Sequence, residues 1–153
     1  MVSFKPLAAA ALLAQVSFAS PALSTRAEGV HLFNCRPSSN NVAQTWQSLV
    51  VYCANDSDCG NPGYNPSSDN VCVKSSSGTA WNYHIWEGGS QSCTFPTGVK
   101  FSWNISSNAQ AQPNYSTVGK GSNGYRSFTG YKDDHGAAVS YNSHSCEKIY
   151  YYL

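Results

Sequence analysis

The sequence predicts an all-β fold, a small disulfide-stapled sandwich or barrel with long loops, and three observations carry that prediction. At least six short runs rich in Val, Ile, Tyr, Phe and Trp are separated by clusters of Gly, Pro, Asn, Asp and Ser, the pattern of strands joined by turns. No window sustains the 3.6-residue apolar period of a packed helix over three turns. Six cysteines, Cys35, Cys53, Cys59, Cys72, Cys93 and Cys146, all follow residue 27, and a core of this size gains from covalent support.

The first residues, MVSFKPLAAAALLAQVSFAS, set Lys5 before an apolar run and end in small residues. They read as a signal peptide over 1–19, with cleavage as late as residue 27. Gln15 and Ser17 interrupt the run well short of the roughly 20 apolar residues that span a bilayer, so membrane insertion is not expected. A single secreted β domain is read over 28–153. Loss of Lys5 and Arg26 leaves seven basic against eight acidic residues, a balance that does not favour nucleic acid as a partner.

In an oxidising compartment an even set of cysteines forms disulfides, and the absence of any C-x2-C pair argues against zinc. The pairing expected here joins Cys59 to Cys72 across the intervening loop, and Cys146 to one of the early cysteines. Three sequons, at Asn55, Asn104 and Asn114, are candidate glycosylation sites, whereas Pro66 blocks the one at Asn65. Asn104 lies inside an expected strand, so it is available only if its face is exposed.

Taken in order, GVHLFNC (29–35) alternates as a first strand, and SLVVYC (48–53) has the composition of a buried one. ANDSDCGNPGYNPSS (54–68) is too rich in turn formers for regular structure and reads as a long surface loop. DNVCVK follows as a short strand. The stretch 81–105, WNYHIWEGGSQSCTFPTGVKFSWNI, holds three of the four Trp residues and reads as a central hairpin. Its first arm would send Trp81, Tyr83 and Ile85 to one face, and Asn82, His84 and Trp86 to the other. In its second arm Val99, Phe101, Trp103 and Ile105 form the core face. Residues 106–115 read as loop, AAVSYN and CEKIYYYL as final strands. In the last, Ile149, Tyr151 and Leu153 share one face, and Lys148, Tyr150 and Tyr152 the other.

Several motifs bear on chemistry. GKGSNG (119–124) fits G-x-G-x-x-G, but YRSFTGY follows where a helix is required, so its glycines read as turn residues and no cofactor is expected. Asp56 and Asp58 offer carboxylates in a loop and are candidate Ca2+ ligands, although the spacing excludes an EF-hand. No motif for a serine hydrolase or metalloprotease is present. The candidate catalytic set is His84, Glu87, Arg126, and His135 or His144, which could take a proton, return one and hold phosphate. That set, beside Tyr83, resembles small secreted fungal ribonucleases of the guanyl-specific kind, although His84 and Glu87 lie too close in sequence to occupy separate strands. The candidate binding residues are Trp86, His84 and Asn82, an aromatic plane flanked by polar groups that suits a sugar ring or a protein partner.

Signal segment, six cysteines, Tyr- and Asn-rich loops and the YYYL end together are similar to small secreted cysteine-rich proteins of fungi, effector-like or killer-toxin-like. The resemblance is compositional, spans the whole chain, and implies an extracellular interaction role. The expected function is therefore a non-enzymatic binding or effector-like module for an extracellular glycan or protein surface. The alternatives are a secreted hydrolase, ribonuclease-like first, and a structural or Ca2+-stabilised cell-wall protein.

Overall fold

The computed structural model describes residues 27–38, 45–77, 82–136 and 138–153. The signal segment over 1–19 and Trp81 lie outside these ranges. Nine strands run through them: β1 Gly29–Pro37, β2 Trp46–Cys53, β3 Val71–Ser77, β4 Gly89–Thr94, β5 Lys100–Ile105, β6 Thr117–Ser122, β7 Ser127–Lys132, β8 Ala138–Tyr141 and β9 His144–Tyr152. Among the described residues the helical pieces are short 3-10 turns, and none is long and apolar enough to cross a membrane.

Every pairing is antiparallel, in the order β3-β2-β1-β9-β7-β6-β5-β4, with β8 added along β9. The edge strands β3 and β4 curl toward each other and are stapled by Cys72–Cys93, while Lys74 Nζ donates to the Ser92 carbonyl at 3.0 Å across the same gap. The result is a nearly closed barrel. A disulfide at the seam covers edges that would otherwise offer free ladder groups.

Both faces of β1 and β2 are buried, which is why GVHLFNC and SLVVYC read as nearly continuous apolar runs. Val30, Leu32 and Val50 point into the barrel, where they meet Phe101, Trp103, Tyr150 and Tyr152. Phe33, Cys35, Leu49, Val51 and Cys53 point outward into a second core, roofed by Val139 and Tyr141 of β8 and by Cys59 and Tyr64 of the 54–67 loop. Each fully buried aliphatic or aromatic side chain contributes roughly 1.5–3 kcal/mol.

Four expectations need correction. Cys59 pairs with Cys53, not Cys72, because the 54–60 segment turns back under β1, where Asp56 N donates to the Ala27 carbonyl. Cys72 is thereby free for the seam, while Cys146 bonds Cys35, an early cysteine as expected. The hairpin exists, but its first arm is GSQSCT, β4, turned onto β5 at Phe95–Val99 with Gly98 at φ 86°. Where β9 pairs with β1 the register slips between Leu32 and Phe33, leaving Ile149 unpaired in the ladder, so Ile149 and Tyr150 both enter the inner core, and Lys148 joins Tyr151 outside.

The fourth correction concerns GKGSNG. Gly119 and Gly121 are strand residues of β6, and only Gly124, at φ 86°, takes the turn conformation. A Cβ on Gly119 would lie 2.0 Å from the Asn104 carbonyl oxygen, and one on Gly121 2.5 Å from the Phe101 ring. These glycines let β6 close onto β5 and over the aromatic core.

Candidate functional site

The structure takes the expected aromatic patch apart. Trp86 is 1% exposed and fills one end of the barrel, its Nε1 donating to Asn34 Oδ1 at 3.1 Å and its ring 6.0 Å from that of Trp103. Residues 82–87 form no ladder because side chains meet their polar groups instead. Ser48 Oγ accepts from His84 N at 2.9 Å, and Gln91 Nε2 donates to the carbonyls of Ile85 and Trp86. Half-buried His84 packs edge-on against Trp86 and holds Gln91 Oε1 at 2.5 Å, while Asn82 is exposed and donates to Ser77 Oγ. Trp86 is thus a core residue, and with it the expected binding surface loses its plane.

The candidate catalytic residues are each tied elsewhere. Glu87 accepts from Tyr150 Oη and from Gln110 Nε2, and burial together with the Glu87 carboxylate pushes the Tyr150 phenol well above its ordinary range. Arg126 lies 3.5 Å from Glu28 and over the Phe128 ring. His135 pairs with Glu147 at 2.9 Å, and buried His144 sits against the carbonyls of Asn142 and Thr45. Arg126 meets Glu28 just before β1, whereas His144 is opposite Pro37 at its end, roughly 30 Å away along the strand. These residues form no common site.

A second titratable group sits on the outer face of β1 and β9. His31, 1% exposed, holds Asp56 at 2.8 Å, and Lys148 holds Asp133 at 3.1 Å beneath the Tyr151 ring. Burial drives the His31 imidazole below its ordinary range despite the Asp56 bond, and that bond lowers Asp56 in turn. Asp133 moves up because burial outweighs Lys148. The other candidate metal carboxylate, Asp58, accepts from Asn55 Nδ2 at 3.2 Å. Among the described residues, the cluster with metal-ligand spacing is His31, Cys53 and Cys59, but its sulfurs are bonded to each other. The arrangement is a fastening that pins the 54–60 turn to β1.

At the opposite end from Trp86 the barrel opens into a 270 Å3 cavity. Val30 of β1, Tyr52 of β2, Phe95 and Val99 of the β4–β5 turn, and Tyr125 of the β6–β7 turn supply its apolar wall, and Asp69, Asn70, Thr97 and Asn123 its polar rim. A wider 530 Å3 basin shares Val99, Asn123 and Tyr125 and continues past Lys100 and Ser102 onto the outer sheet. Tyr125 is 89% exposed, yet its backbone is held, because Asn123 Oδ1 accepts from the N–H groups of Tyr125 and Arg126 at 3.0 and 2.8 Å. Half-buried Tyr52 packs its ring beside Phe95 and sends its hydroxyl to Glu28 at 2.8 Å. Rings with amides and a carboxylate at their edges can stack on a sugar ring and bond its hydroxyls. No family model, curated protein or solved structure matches this chain.

Proposed function

We propose that this protein is an extracellular, non-enzymatic binding module that recognises a glycan through the groove at the open end of the barrel. The observation that carries the reading is the exposed Tyr125 ring, raised on a turn whose backbone Asn123 holds, beside an apolar cavity rimmed by Asp69, Asn70 and Asn123. Three disulfides in a chain of this size support an oxidising, extracellular setting. The groove lining combines stacking surface with amide and carboxylate partners and brings no imidazole, so it suits recognition better than proton transfer. Its occupant enters as a chain end or a single protruding unit, because the cavity is small and opens upward into the basin.

A glycan array probed with the purified mature protein tests this directly. Binding to a restricted set of oligosaccharides, lost on Tyr125→Ala and retained on Trp86→Phe, is the expected result. An array with no specific signal, or binding indifferent to Tyr125→Ala, would remove the groove from the proposal.

A further inference from the structure

We propose that Asn104 carries an N-linked glycan, and that this glycan lies along a trough on the outer face of β4, β5 and β6, over Lys120 and toward Lys100. The inference does not rest on the groove's binding a glycan, although the trough runs into the basin that the groove shares. Strand β5 alternates strictly, with Phe101, Trp103 and Ile105 buried and Lys100, Ser102 and Asn104 exposed. The Asn104-Ile105-Ser106 sequon therefore presents its amide to solvent, and that amide makes no side-chain hydrogen bond in the described structure.

What surrounds Asn104 is suited to hold a sugar chain. Its neighbours across the ladders are Ser90 and Lys120, and the next residue out on its own face, Ser102, stands between Ser92 and Ser122. These are small hydroxyls flanking one flexible cation. A 250 Å3 depression around Asn104 and the 530 Å3 basin around Lys100 share Ser102 and Ser122, so the two are one continuous trough. Same-face residues of a strand recur about every 6.7 Å, which places Lys100 about 13 Å from Asn104, within reach of a few linked sugars.

The other sequons differ. Asn55 is half-buried, and its Nδ2 is engaged with Asp58 Oδ1 inside the turn closed by Cys53–Cys59. Asn114 is exposed in the turn before β6. Asn104 combines an exposed amide with a bed of polar groups into which a glycan would settle.

The test is to secrete the full chain from a glycosylating eukaryotic host and map it by peptide mass spectrometry, reading glycan-bearing Asn104 and its conversion to Asp on enzymatic release. Native protein is then treated with an amine-acetylating reagent before and after enzymatic deglycosylation, with Asn104→Gln as a second unglycosylated form. The expected result is an occupied Asn104, with Lys120 and Lys100 acetylated several-fold more slowly while the glycan is present, relative to Lys132. An unmodified Asn104, or lysine reactivities that do not change when its glycan is removed, would overturn the proposal. Enzymatic removal needs no mutation, so a folding defect in Asn104→Gln would not obscure the answer.

Discussion

At one end of the barrel Asn34 and Ser48 turn inward and are met by Trp86 and His84; at the other, four residues away along the same two strands, Val30 and Tyr52 turn inward and meet an open cavity. The ends are about 13 Å apart. At the closed end, inward polar groups need partners, and a crossing segment supplies them with Trp86 as its filling. At the open end the inward groups are apolar, Tyr52 sends its one polar atom out to Glu28, and nothing is required to cross. Buried polar side chains recruit a lid, whereas aromatic walls leave a concavity that a ligand can complete.

The strongest way to break this comparison is to empty the closed end. Trp86→Ala should destabilise the fold by about 3–5 kcal/mol, because it opens a cavity in a packed interior and removes one of two donors to Asn34 Oδ1. Chemical denaturation with an unchanged m-value would show it. Trp86→Phe should recover most of that loss. A Trp86→Ala protein as stable as the parent would mean that the closed end is not closed.

Next in size is the seam. Cys72→Ser with Cys93→Ser removes a cross-link with a sequence separation of 21, and by the loop-entropy account this should cost about 3 kcal/mol. The seam borders the open end through Phe95 and Val99, so protection from hydrogen exchange should fall there first, while residues 84–86 stay protected. Equal loss at both ends would show that the barrel responds as one cooperative unit.

Which of these features the sequence displayed is a matter of how local their causes are. β5 was legible because its alternation is written into KFSWNI, and the two-sided burial of β1 and β2 because their apolar runs are nearly unbroken. The 82–87 segment misled because Tyr83, Ile85 and Trp86 form strands readily, yet Ser48 and Gln91 take the ladder's place. GSQSCT did the opposite, becoming an edge strand with weak propensity because β5 and the Cys72 bond hold it. The groove was not legible, since its lining comes from two strands, the 68–70 turn and two hairpin turns that meet only in three dimensions. The one local hint was Tyr125 directly after Asn-Gly, an aromatic raised on a turn.

Acid should act mainly on the outer support of the open end, through His31. Its folded pKa is depressed by burial, so the unfolded chain takes up a proton near the ordinary value of 6.5 that the folded chain refuses. Its contribution to stability is therefore fully present above pH 6.5 and falls as pH drops toward the folded pKa, at up to about 1.4 kcal/mol per pH unit. Asp56 extends the loss as pH falls below 3.8, while Asp133, raised by burial, opposes it. Hydrogen exchange at pH 5 against pH 7 should show the 54–60 turn loosening first. His31→Gln should flatten the pH dependence between them, and an unchanged slope would assign it to another group.

The smallest expected effect on stability is also the one that most sharpens the contrast. Tyr125 is held by Asn123 through backbone bonds and packs against little, so Tyr125→Ala should change unfolding free energy by less than about 0.5 kcal/mol. The Asn123 amide bonds survive the substitution, so the turn keeps its shape. If Tyr125→Ala also abolishes glycan binding, Tyr125 serves the ligand and not the fold, the converse of Trp86. If Tyr125→Ala instead unfolded the protein, the open end would be structural after all, and the distinction between the two ends would collapse.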